Sequence, residues 1–79
     1  MDIVKRWEEN HVTVSREELI AFYDQQRVLF RKSYKTNDNR AKRMHCALMY
    51  FAAQAFEGTD EGDQAALRQL KAYRAAKEG

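Results

Sequence analysis

Val14-Ser15-Arg16-Glu17-Glu18-Leu19 is the stretch that decides the fold of this chain. A serine followed three residues later by a glutamate is a capping box. The Ser15 hydroxyl satisfies the amide of Glu18, and the Glu18 carboxylate returns to the amide of Ser15. Val14 and Leu19 stand at the two apolar staple positions on either side, so three local signals agree on a helix start. Downstream, Leu19, Ile20, Phe22, Tyr23, Leu29, Phe30 and Tyr34 recur at helical spacing on one broad face, which predicts a helix over 15–35. Val28 falls off that face and is expected in solvent, as an apolar contact point.

Moving outward, Thr36-Asn37-Asp38-Asn39 is a polar break rich in turn and cap formers. A third helix follows over 39–57 and stops before Gly58, a residue suited to the left-handed position after a helix end. This helix is apolar nearly all round. Ala41, Met44, Leu48, Phe51 and Ala55 make its main face, yet Cys46, Ala47, Tyr50 and Ala53 occupy the side that a surface helix would charge. Such a helix is buried. It is either the central element of a bundle or half of a subunit interface. On the N-terminal side, 2–9 forms a short helix carrying Ile3, Val4 and Trp7, Asn10 ends it, and 11–14 is an extended connector. After Gly58 a last helix over 60–75 bears a narrow stripe of Leu67, Leu70 and Tyr73, with a tail from Arg74 that is expected to fray.

Composition agrees with helices. Proline is absent and there are only three glycines, whereas a sheet protein of this length needs several Asn-Gly, Asp-Gly or Pro-Gly turns. The expected architecture is one all-α domain over 1–79, a small bundle of three to four helices built on a long antiparallel helical hairpin. Seventy-nine residues bury little, about 60% of the unfolded surface. Aromatic residues offset this, each removing ~150–250 Å² from water when packed. A single cysteine leaves no internal disulfide. No apolar run is long enough for a membrane span, and Met1 to Trp7 lacks the apolar core of a signal peptide. A cytoplasmic location and no membrane partner are expected.

Charge is the best functional clue. Seven of the fourteen basic residues, Arg27, Arg31, Lys32, Lys35, Arg40, Lys42 and Arg43, crowd 27–43, with Asp38 alone opposing them. That stretch carries +6 within a chain whose formal net charge is +2. Arg31, Lys32 and Lys35 complement the dipole at the end of their helix, but Arg40, Lys42 and Arg43 stand in the first turn of the next one, where anions are preferred. Arg27, Arg31 and Lys35 also line up at i, i+4 and i+8, each neighbouring pair costing ~0.2–0.5 kcal/mol. The fold gains little from this arrangement. An anionic partner would explain it, and a solubilising surface is the alternative.

Other candidates weigh less. His45 and Cys46 are sequence neighbours pointing about 100° apart around one helix, so they cannot serve a single catalytic point. His11, His45 and Cys46 lack the paired spacing of a zinc site. Glu57-Gly58-Thr59-Asp60-Glu61-Gly62-Asp63 imitates a calcium loop, but the bidentate glutamate at its twelfth position would be Arg68. An acidic first turn of the last helix explains those residues better. No cofactor motif is present.

The expectation is therefore a small non-enzymatic regulator, adaptor or inhibitor that binds a protein or protein complex with an acidic surface. Its contact residues are Arg27, Arg31, Lys35, Arg40, Lys42 and Arg43. Trp7, Val28, Cys46, Ala47, Tyr50 and Ala53 are candidates for an apolar interface, including a homodimer. The alternative is a nucleic-acid (DNA) binding protein that places Asn39, Arg40, Lys42 and Arg43 at the head of a helix-turn-helix reading helix.

Overall fold

The computed structural model describes residues 2–79. Its elements in chain order are α1 (Ile3–Glu9), a single 3-10 turn (His11–Thr13), α2 (Arg16–Lys35), α3 (Asn39–Phe56) and α4 (Asp60–Glu78). It is a small all-α bundle in which α3 is central. The α2–α3 hairpin is joined by an equally extensive α3–α4 hairpin.

The capping box forms as expected. Glu18 N donates to Ser15 Oγ and Ser15 N donates to Glu18 Oε1, both at 3.1 Å, with Val14 and Leu19 buried. The Glu18 carboxylate also receives Arg6 through two guanidinium nitrogens, at 2.7 and 3.1 Å, while Arg6 reaches the Thr13 carbonyl at 2.7 Å. One carboxylate thus starts α2 and clamps α1 against it.

The segment 11–14, expected to be extended, winds into the 3-10 turn because the Asn10 side chain accepts from Val12 N and caps it. His11 then stacks flat on Trp7, with ring centroids 3.9 Å apart, and its Nδ1–H donates to Asp63 Oδ2 at 3.1 Å. Trp7 meets Phe51 edge to face, and Phe51 meets Phe22 the same way. Around these rings Val4, Val14, Leu19, Leu48, Ala52, Ala55, Ala66 and Leu70 complete the core.

Two expectations about burial change. On α2 the buried positions are Leu19, Gln26 and Ser33, a seven-residue repeat, while Ile20 and Tyr34 are exposed. Two of the three seam residues are polar. Gln26 is satisfied by His45, whose Nδ1–H donates to its Oε1 at 2.7 Å, and Ser33 by the Phe30 carbonyl. Burial holds the His45 pKa below its ordinary value, against the opposing pull of the Asp38 charge. The other change is at the C-terminal end. α4 continues through the tail expected to fray, because Ala76 is buried, Arg74 pairs with Glu8 of α1, and Arg40 of α3 donates to the Ala76 carbonyl. The last carbonyls of a helix lack intrahelical donors, and here a side chain from α3 supplies one.

Candidate functional site

The basic region is organised by the turn between α2 and α3. Asn37 adopts the left-handed conformation, φ 53°, with Asp38 N donating to Ser33 O and Asn37 N to Tyr34 O. This is a Schellman motif with asparagine in the place usually taken by glycine. Asp38 then caps α3, accepting from Ala41 N at 3.0 Å. Three residues therefore end one helix and begin the next. The last turns of α2 and the first turn of α3 end up side by side, which gathers the cations at one end of the molecule.

Among the described residues, none of the seven cations of 27–43 forms an ion pair with a carboxylate. Two of the three that lacked a structural role in the sequence nevertheless have one. Arg40 holds the end of α4 through its 3.2 Å bond to Ala76 O. Lys42 lies over the Tyr34 ring, 4.4 Å from its centroid. Arg27, Arg31, Lys35 and Arg43 are exposed and have neither kind of contact. The cluster is thus partly structural, and its unengaged members are these four together with Lys32.

The helix-turn-helix geometry is not present. α2 and α3 run antiparallel along their whole length, from the Leu19–Ala52–Phe56 level through Gln26–His45 to Tyr34–Lys42. A reading head would need the two helices to cross at about 90–120°.

The apolar candidates separate clearly. Trp7 is 1% exposed and belongs to the chain's own packing, while Ala47, 6% exposed, is packed against its neighbours and offers only a small surface. The first helix, too short to be placed by sequence, covers the core with Trp7. Cys46 is half-buried, whereas Tyr50 at 55% and Ala53 lie in solvent. Val28 is exposed as expected but points about 160° around α2 from Phe30.

These placements define two faces. α2, α3 and α4 form a layer, and α1 lies on one side of it, touching Glu18, Phe51 and Arg74. Cys46 sits about 140° around α3 from Phe51, and Ala72 about 160° around α4 from Arg74. Among the described residues no helix lies on the opposite side of the layer. At its basic end lies an open groove of about 640 Å³, floored by Cys46 and Ala47, walled by Phe30 and Tyr34 on α2 and by Ala72, Ala75 and Ala76 on α4, with Lys42 and Arg43 at its edge. This groove was half legible beforehand, in the surplus apolar side of the third helix. The alanines of α4 carried no signal.

Among the described residues no group of three His, Cys, Asp or Glu side chains is placed to hold a metal ion. No helix among them is long and apolar enough to cross a membrane. Compared with protein-family models, curated proteins and solved structures, the chain finds no match in any of the three.

Proposed function

We propose that this chain is a small non-enzymatic regulator, adaptor or inhibitor that acts in the cytoplasm by occupying the acidic surface of a larger protein or protein complex. The observation that supports this reading is the set of exposed cations, Arg27, Arg31, Lys35 and Arg43, gathered at the α2–α3 turn with no carboxylate partner among the described residues. Their mutual repulsion is a cost to the folded state that an anionic partner would relieve. Opposite charge on that partner would speed encounter and set orientation.

The test is affinity capture from the source cell, comparing the natural chain with the triple variant Arg27→Glu, Arg31→Glu, Arg43→Glu. Arg40 and Lys42 are left intact, because their intramolecular contacts would confuse a binding loss with a folding loss. A defined complex that the natural chain captures and the helical, folded variant does not is the expected result. Failure of the natural chain to hold any salt-sensitive protein complex overturns the reading.

The line Arg27–Arg31–Lys35 favours a second reading, phosphate contact with duplex nucleic acid. Steep loss of a gel shift with rising salt would support it, and no shift at low salt would remove it.

A further inference from the structure

We infer that the uncovered face of the α2–α3–α4 layer is a docking groove for an acidic amphipathic helix of the protein partner. This rests on the reading above and adds the shape of what is bound. The groove starts at the basic end, where Cys46 and Ala47 are small enough to let a visiting helix approach α3 closely. Further along α2, on the side that also carries Phe30 and Tyr34, a second, separate apolar depression lies between Ile20 and Tyr23 on one side and Ala53 and Phe56 on the other. From Ile20 to Tyr34 the α2 wall is ~21 Å long, about four helical turns. An occupant of that length presents apolar residues at i, i+3, i+4 and i+7.

The rim sets its charge. Lys42 and Arg43 border the first depression, Arg27 is exposed on α2 between the Tyr23 and Phe30 walls, and Arg16 lies 4.1 Å above the Phe56 ring beside the second. Asp24 on α2, Glu57 at the far end of α3 and Glu61, about 20° around α4 from Ala72 but in that helix's first turn, are exposed carboxylates away from the basic end. An apolar trough with a mainly cationic border suits an apolar stripe flanked by Asp and Glu. A second copy of this chain would bring the same cations against one another. Duplex nucleic acid would leave Ile20, Tyr34 and Tyr50, all at least half exposed, without an apolar counterpart.

The test uses the isotope-labelled full chain and two synthetic peptides of identical Leu- and Glu-rich composition. One places its leucines on a single helical face, and the other scatters them. The one-faced peptide is expected to bind roughly tenfold tighter and to shift the amides of Phe30, Cys46 and Ala72. Ala72→Glu, at an exposed helical position, is expected to weaken it by roughly the same factor while circular dichroism stays unchanged, and Tyr34→Ala provides a second variant. Equal affinity for both peptides, with Ala72→Glu silent, overturns the groove while leaving the basic-end contact standing. Absence of binding by either peptide at low salt overturns the groove and counts against an acidic protein partner altogether. A dimer whose dissociation on dilution shifts these same amides also overturns it, since the occupant is then a second copy.

Discussion

A methyl group added at Gly62 would stand 2.6 Å from the carbonyl oxygen of Gln54, backbone that cannot swing aside. Gly62 is buried in the first turn of α4 and sets how closely that helix approaches α3. Gly62→Ala is therefore expected to destabilise the protein by about 1–3 kcal/mol, the usual penalty for overpacking, despite alanine's better helix propensity. Equilibrium urea unfolding measures it, and a neutral or stabilising result would show that α4 can slide outward freely. In the sequence Gly62 stands out only as the one residue that would suit the turn of a calcium loop, because a close approach between two helices is set by the partner helix. Gln26 and Ser33 were missed for a related reason. A polar residue in a helix seam is chosen by what faces it, and His45 lies in another element. The capping box, by contrast, is contained within four residues and was read correctly.

At the scale of elements, the Arg6–Glu18–Ser15 cluster ties the start of α2 to α1, beside the burial of Val4 and Trp7 that seats α1 on the core. The Arg6 hydrogen bond, with help from the Ser15 amide, holds the Glu18 carboxyl down to about 2. A carboxyl whose pKa is lower in the folded state than in the unfolded one stabilises the fold fully above its unfolded value. That contribution is lost as pH falls from roughly 4.5 toward 2. The expected outcome is that the natural chain loses stability over this interval and Glu18→Gln, starting lower, loses less. Thermal unfolding followed by Trp7 emission at several pH values compares them, and parallel pH profiles would remove Glu18 from the account. Helix starts and stops were largely legible, since caps are local. The true length of α4 was not. Its last residues have little apolar area, and Arg40, Glu8 and the buried environment of Ala76 lie elsewhere in the chain.

For the molecule as a whole, the layer separates a face closed by α1 from a face left open, with cations concentrated at one end of the open side. Crowding of like charge is expected to limit stability. Arg31 stands just outside the last turn of α2, whose basic residues are Lys32 and Lys35, so it gains little from the helix dipole. Arg31→Gln should therefore raise stability by a few tenths of a kcal/mol at low ionic strength, a difference that added salt should shrink. Chemical denaturation in urea, which leaves ionic strength unchanged, makes the comparison, and a destabilising Arg31→Gln would mean that this cation has an intramolecular role. The charge cluster itself was evident from composition along the chain. Which of its members are engaged was not, because Arg40 and Lys42 find their partners across helices. The open face was anticipated only as an excess of apolar residues on α3. Whether Trp7 faces inward or outward is not legible in α1, since a seven-residue helix can be docked or exposed without any change in its own sequence.

The succession α2–α3–α4, each helix packed on the next through a turn of about three residues, also bears on how fast the chain folds. Nearly every helix meets the one synthesised just before it, so little loop entropy is spent before contacts form, and topologies of this kind reach the native state in roughly microseconds to milliseconds. The Glu8–Arg74 and His11–Asp63 pairs are the outliers, joining residues 66 and 52 positions apart. They mark the closure that chain connectivity helps least, the docking of the N-terminal segment on α4, and thus the step that folding would complete last.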